Sequence, residues 1–258
     1  ISRPEQLLTA LPEAMRVLTD PAETGAVTVC LPQDVQAHAY DYPRHFFEKR
    51  MWRIERRLPS PQRIHEAIGL LRESRAPVII AGGGVHYSEA WDDLQRFAEK
   101  LGIPVVETFA GKGAIKNASP VLFGAQGVTG NPVAGKIVSE ADLIICVGTR
   151  LTDFTTGSQS AFQNPNVKFI HINVSGHDAY KQGALPVLAD AREGLRLLSK
   201  AAEEAGIKPN PKYLERLGGL KAEWEKRLRI EVYQQVSGEA MSQGQLIGVF
   251  NEEAQPGD

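Results

Sequence analysis

Three segments of this 258-residue chain combine residue types that could do chemistry, and each lies where an apolar run gives way to glycine or a polar side chain. The first is Ala81-Gly82-Gly83-Gly84-Val85-His86-Tyr87, directly after PVII. Glycines in that position let a backbone approach a phosphate, and the amides of a following helix can meet an anion. The pattern is Gly-x-Gly-x-x-Tyr, with Tyr87 where a dinucleotide fingerprint wants Gly or Ala, so a nucleotide-contact loop and a tight structural turn both remain open. The second is Gly148-Thr149-Arg150-Leu151-Thr152-Asp153, after the most apolar run of the chain. Arg150 could fork onto a diphosphate or a carboxylate, or pair with Asp153 and close its own loop. The third set is Thr108, Asn173 and Asp190, each placed just after an apolar run, where caps and turns compete with ligand contacts.

The remaining reactive types are poorly placed. His86 has no paired nucleophile nearby, and His171 sits inside an apolar run where it reads as a core or face residue. Cys30 and Cys146 lie in apolar runs and read as small buried hydrophobes. The motifs HExxH, CxxC, GxSxG and GxxxxGK[ST] do not occur, so no self-sufficient catalytic constellation is expected in this chain.

The elements that must position these loops alternate. PQRIHEAIGLLRES, SEAWDDLQRFAEKL, NPVAGKIVSEA and AREGLRLLSKAAEEAG have helical spacing, whereas APVIIA, IPVVET, VLFGA, DLIICVGT, VKFIHINV and PVLAD read as strands. Continuously apolar strands between helices imply a parallel sheet covered on both faces, with ligands beyond the carboxyl ends of the strands. The expected fold is α/β, a doubly wound parallel sheet with helical flanking segments.

Either side of that unit the pattern breaks. PEQLLTALPEAMRVL predicts a helix over 4–18 against the objection of Pro12, and Ala26–Leu31 predicts a buried strand, a pair too small to enclose a core. Residues 43–60 are rich in proline, arginine and aromatics. They read as a surface linker held by Phe46, Phe47 and Trp52, with a phosphate-binding arm as the sharper alternative. Beyond 206 a charged helix carries Trp224, Leu228 and Val232 at four-residue spacing, which predicts one packed stripe. The expected organisation is a remnant over 1–42, a linker over 43–60, a complete domain over 61–206, a linker and helix over 207–240, and the start of another unit over 241–258. At roughly 150 residues per domain the length corresponds to about 1.7 domains, which fits a chain cut from a longer one.

Composition excludes several classes. Charge is nearly balanced, 29 Lys plus Arg against 31 Asp plus Glu, which gives no global case for nucleic-acid binding. Two cysteines cannot make a disulfide scaffold. No apolar run approaches the ~18 residues of a membrane span, and no signal segment opens the chain.

GAVTVCLPQDV resembles the end of the pyrimidine-binding domain of thiamine-diphosphate enzymes, and the alternating unit is similar to their middle domain. AGGGVHYSEA and GTRLTDFTTGS, with ETFAGKGA, GVTG and DAREGLRLL, more specifically resemble the trihydroxycyclohexanedione hydrolase family of inositol catabolism. The resemblance covers essentially the whole chain. It implies a cytoplasmic enzyme, a homodimer or higher, that uses thiamine diphosphate and Mg2+ to open a cyclic dione to 5-deoxy-glucuronate. The family's activating glutamate and its GDG metal-diphosphate motif are not found here, so the chain alone is expected to be inactive. In relatives whose middle domain binds FAD or ADP, loops similar to Gly82, Gly83, Gly84, Thr108, Gly148, Thr149, Arg150, Asp153, Asn173 and Asp190 make the contacts. The resemblance therefore implies a nucleotide crevice here, retained or vestigial. The alternatives are a flavin-containing carboligase or decarboxylase of the same superfamily and a stand-alone nucleotide-binding module.

Overall fold

The computed structural model describes residues 1–234 and 240–255. Six strands, β1 (Pro77–Ala81), β2 (Val105–Glu107), β3 (Leu122–Ala125), β4 (Leu143–Val147), β5 (Lys168–Asn173) and β6 (Leu185–Leu188), form one sheet. Their order is β3-β2-β1-β4-β5-β6, and every neighbouring pair is parallel. The helices are α1 (Leu7–Leu18), α2 (Pro61–Glu73), α3 (Gly84–Tyr87), α4 (Trp91–Leu101), α5 (Pro132–Glu140), α6 (Asp153–Thr156), α7 (Gly176–Ala179), α8 (Ala191–Glu204), α9 (Pro211–Arg227) and α10 (Gln243–Glu253).

Strand periodicity divides the core into two layers. Ile79, Ile145, Ile170 and Ile172 face α2, α4 and α8, where they meet Ile68, Phe97, Leu195 and Leu198. Val78, Ile80, Ile144, Cys146 and Phe169 face the other way, toward Ile137 and Val138 of α5. Tyr213 and Leu217 of α9 join that second layer, and the Tyr213 hydroxyl donates to the Pro77 carbonyl at 3.1 Å. Because both faces are covered, the central strands are apolar without a break, as a parallel sheet requires.

The helix ends carry their own signals. Asn131 caps α5 by accepting from the Ala134 amide, with Pro132 in the first turn. Asn210 caps α9 in the same way, with Pro211 following. Gly102 ends α4 in the left-handed conformation at φ 64°, which a residue without Cβ adopts freely. These stops fix the lengths of the loops between strands and helices.

The flanking segments depart from the sequence expectation. Residues 26–31 form no strand and Val27, Val29 and Leu31 are exposed, because no strand among the described residues lies beside them to complete a ladder. Cys30 is consequently exposed rather than buried; its carbonyl accepts from the amino group of Ile1. The helix predicted from residue 4 is a 3-10 turn over Pro4–Gln6 that leads into α1, which accommodates Pro12. The stripe on the charged helix is shifted: Tyr213 and Leu217 pack, Trp224 and Leu228 are half-buried and Val232 is exposed. The expected boundary at 240/241 adjoins residues 235–239, which lie outside the described residues, as do 256–258. No helix among the described residues is long and apolar enough to cross a membrane.

Leu195 is fully buried in the layer between α8 and the sheet. Leu195→Ala is expected to cost about 3 kcal/mol through lost burial and a residual cavity. Urea unfolding should show a lower midpoint with an unchanged slope.

Candidate functional site

The strand order reverses between β1 and β4, so the chain leaves these two neighbours in opposite directions and opens a crevice beyond their carboxyl ends. Its volume is about 1230 Å³. Its floor and walls come from the loops after β1, β2, β4, β5 and β6, with residues 18–24 and 54–56 on the outer side.

The floor is a contact between two backbones. The Gly84 amide donates to the Gly148 carbonyl at 2.9 Å, the Gly82 amide to Val147 at 2.9 Å and the Gly148 amide to Ile172 at 2.9 Å. A Cβ on Gly84 would lie 2.6 Å from the Gly148 Cα, and Gly148 has φ 58°. Neither position tolerates a side chain. Gly83 is different, since its nearest neighbour would be the Ala110 Cβ at 3.4 Å, an ordinary contact.

The sequence-expected residues divide by role. Gly83, Gly84, Thr108, Gly148, Thr149, Arg150, Asn173 and Asp190 all line the crevice, whereas Gly82 lies beneath it and Asp153 is exposed outside it at the start of α6. Thr108 is buried and accepts from the Gly111 amide at 3.2 Å, so its hydroxyl shapes its own loop. The Asn173 amide nitrogen donates to the Thr149 carbonyl at 2.9 Å, and its oxygen accepts from the Ser175 amide. Asp190 caps α8 through the Arg192 and Glu193 amides. Arg150 is exposed and forms no ion pair among the described residues, so the expected alternative of a closing Arg150–Asp153 pair is not formed. Its carbonyl accepts from Lys181 at 2.7 Å, and that lysine also pairs with Asp178. The amides of Gly83, Thr149 and Arg150 have no acceptor among the described residues. The crevice therefore offers free N–H donors and one uncommitted guanidinium, a set suited to an anionic group.

Several lining residues carried no sequence signal strong enough to select them. Tyr87 and Phe109 are each 91% exposed and, with Phe154, form an apolar rim. Gln126 lies between strand and loop, donates to the Thr155 carbonyl at 3.3 Å and leaves its oxygen without a donor among the described residues. Arg56 belongs to the linker and enters the site from outside the sheet. Only contacts across the fold identify it.

His171 supports the same edge from below. Its Nε2 donates to the Thr149 carbonyl at 2.8 Å, and its Nδ1 is unpaired among the described residues. Burial pushes the imidazole below its ordinary value of 6.5, against smaller opposing effects of that hydrogen bond and of Asp178. Cys146, next to His171 in the β4–β5 register, has its thiol pushed upward by complete burial and stays unreactive. No group of three or more His, Cys, Asp or Glu among the described residues could hold a metal ion.

Comparison with known proteins places this geometry in context. The family model described as thiamine pyrophosphate enzyme, central domain, matches residues 64–198. A 3D-(3,5/4)-trihydroxycyclohexane-1,2-dione hydrolase from Clostridium tetani (strain Massachusetts / E88) is 52% identical over 228 residues, 88% of this chain and 35% of that protein. Proteins of the same name from Bacillus cereus (strain AH820) and Bacillus thuringiensis (strain Al Hakam) are 50% identical over the same shares. The chain thus spans about a third of the length of these relatives.

Two outcomes follow from the floor and from His171. Gly84→Ala and Gly148→Ala should each lower the unfolding free energy by more than 1 kcal/mol, about the level expected of strained glycine sites, while Gly83→Ala should be close to neutral. Thermal melts of the three variants test the ranking. Because the folded His171 pKa lies below the unfolded one, the unfolded chain binds the extra proton, and stability present above pH 6.5 should be lost as pH falls below it. That component should vanish in His171→Asn, measured by denaturant unfolding between pH 5 and pH 8 on a scale set by the ordinary histidine range of about 6.5.

Proposed function

The chain belongs to the thiamine pyrophosphate enzyme family, and from that membership we propose that it is the central domain of a thiamine-diphosphate-dependent hydrolase. The substrate of the whole protein is 3D-(3,5/4)-trihydroxycyclohexane-1,2-dione, and the product is 5-deoxy-glucuronate, in inositol catabolism. The observation that carries this reading is about half identity, over 88% of the chain, to proteins that bear that hydrolase name. The whole protein works in the cytoplasm as a homodimer or larger homo-oligomer.

Thiamine diphosphate supplies an electron sink for breaking a carbon–carbon bond. The described residues bring together no group of carboxylates, imidazoles or thiols able to hold a metal, so they do not fit Mg2+. No step of the ring opening is therefore assigned to them. Their own part is to build the crevice and to hold a second ligand in it. A nucleotide with a diphosphate, ADP or FAD, fits the donor set: Gly83, Thr149 and Arg150 line the crevice, and their amides and the Arg150 guanidinium are unpaired among the described residues. The Tyr87, Phe109 and Phe154 rim offers stacking surfaces for a flat ring, and that feature also favours the second reading, a flavin-dependent carboligase or decarboxylase.

Two measurements separate these readings. Titration calorimetry of the 258-residue chain with ADP, FAD and NAD should give binding by ADP or FAD, weakened about tenfold in Arg150→Ala. NAD-dependent turnover would favour a stand-alone module instead. The full-length protein with thiamine diphosphate and Mg2+ should open the cyclic dione without pyruvate activity, whereas the 258-residue chain alone should not turn over. A yellow preparation that consumes pyruvate would overturn the hydrolase in favour of the carboligase.

A further inference from the structure

The linker expectation named Phe46, Phe47 and Trp52 as its anchors, yet Phe47 is 72% and Trp52 41% exposed. Phe46 packs locally, stacked on Tyr42 with ring centroids 4.9 Å apart. What holds the linker is Arg56. Its Nη1 donates to the Ser88 carbonyl at 2.7 Å and to the Asp190 carboxylate at 3.0 Å, and its Nη2 donates to Glu89 at 3.2 Å. The next residue repeats the attachment. The Asp190 amide donates to the Arg57 carbonyl at 2.9 Å, and the Arg57 guanidinium donates to the Val174 carbonyl at 3.2 Å.

These partners come from three different loops, after β1, β5 and β6, and all of Arg56, Ser88, Glu89, Val174 and Asp190 line the crevice. Two of them are prepared for the guanidinium. Asp190 is already oriented by capping α8, which leaves its second oxygen for Arg56. Glu89 sits at φ 52°, in the left-handed region that a glutamate seldom adopts, and that conformation places its carboxylate beside Arg56 and 3.7 Å from Arg192. Such strain persists where surrounding contacts hold it. A guanidinium with three acceptors on two loops is better held than a surface ion pair, because its fork geometry matches the acceptors together.

We propose that Arg56 is a positioning residue, a latch that holds residues 54–57 against the carboxyl edge of the sheet as one wall of the crevice. Without it the wall detaches while the sheet stays folded. The latch does not require the crevice to bind a nucleotide. Only the last arm of the test rests on that reading.

Chymotrypsin can cut after Trp52, but it must first free several residues on either side, and these include the latched segment. Arg56→Ala in the 258-residue chain should speed cleavage after Trp52 about five- to tenfold and should speed hydrogen exchange of the Asp190 amide. Arg56→Lys should give partial protection, since an ammonium can reach one or two of the acceptors but not reproduce the fork. Arg192→Ala removes a cation from the same cluster, one that pairs with Glu89 and Asp93 rather than with residues 54–57, and should cleave like the unaltered chain. Circular dichroism establishes that each variant is folded; if Arg56→Ala is not, Arg56→Gln takes its place. Unchanged cleavage and exchange in a folded Arg56→Ala chain overturn the latch, as does equal loosening in Arg192→Ala. With ADP as the probe, Arg56→Ala should bind at least several-fold more weakly by calorimetry. If the unaltered chain does not bind ADP, the nucleotide reading fails, and the latch is still decided by cleavage and exchange.

Discussion

The approach of Gly84 to Gly148 is the contact on which the rest of the site depends. Parallel neighbours lie about 4.8 Å apart, and where the strand order reverses the two outgoing loops must part from almost the same point. Here they part only after touching backbone to backbone, with the Gly84 amide on the Gly148 carbonyl. Gly111 makes a similar approach to the Ala81 carbonyl from the loop after β2. Removing every Cβ from this junction is the condition for the crevice floor, whatever occupies the crevice. The amides of Gly83, Thr149 and Arg150 at this junction have no acceptor among the described residues, so one constraint both closes the floor and supplies its donors.

Most polar side chains at this edge are committed to building it. Thr108, Asn173 and Asp190 each satisfy backbone groups of their own or a neighbouring loop. This follows from burial: a polar group removed from water costs free energy unless it is paired. Arg150 is the exception: it has no carboxylate partner among the described residues, which leaves its guanidinium available to the anion proposed above. The linker then contributes through Arg56, whose charge-assisted hydrogen bonds reach the loops after β1 and β6. A wall attached in that way is weaker and more responsive to salt than the sheet it covers.

Family membership and crevice chemistry address different parts of the problem. The match to thiamine pyrophosphate enzymes lies in the sheet-forming segment, residues 64–198. Among the described residues no group of three or more His, Cys, Asp or Glu could hold a metal ion. What these residues do build is a crevice of about 1230 Å³ at the reversal point of the sheet, and the proposed binding role rests on it.

The order of strands and helices was legible from the sequence because each element carries a local signal: apolar runs for buried parallel strands, three- and four-residue spacing for the helices, Asp190 where a cap belongs. The position of the candidate site was legible too, since a doubly wound sheet has one carboxyl edge, and most of the chosen residues lie on it. Three matters were decided only by the tertiary structure. Residues 26–31 are apolar enough for a strand but have no neighbour among the described residues to pair with, and pairing is not a local property. Asp153 and Arg150 are close in sequence, yet the turn at Leu151, with φ 46°, leads them apart so that only Arg150 reaches the crevice. Arg56 lies 134 residues from Asp190, its partner. One arginine among the five between 44 and 57 carries no sequence mark of this role, because the loops that select it are assembled only when the sheet is complete.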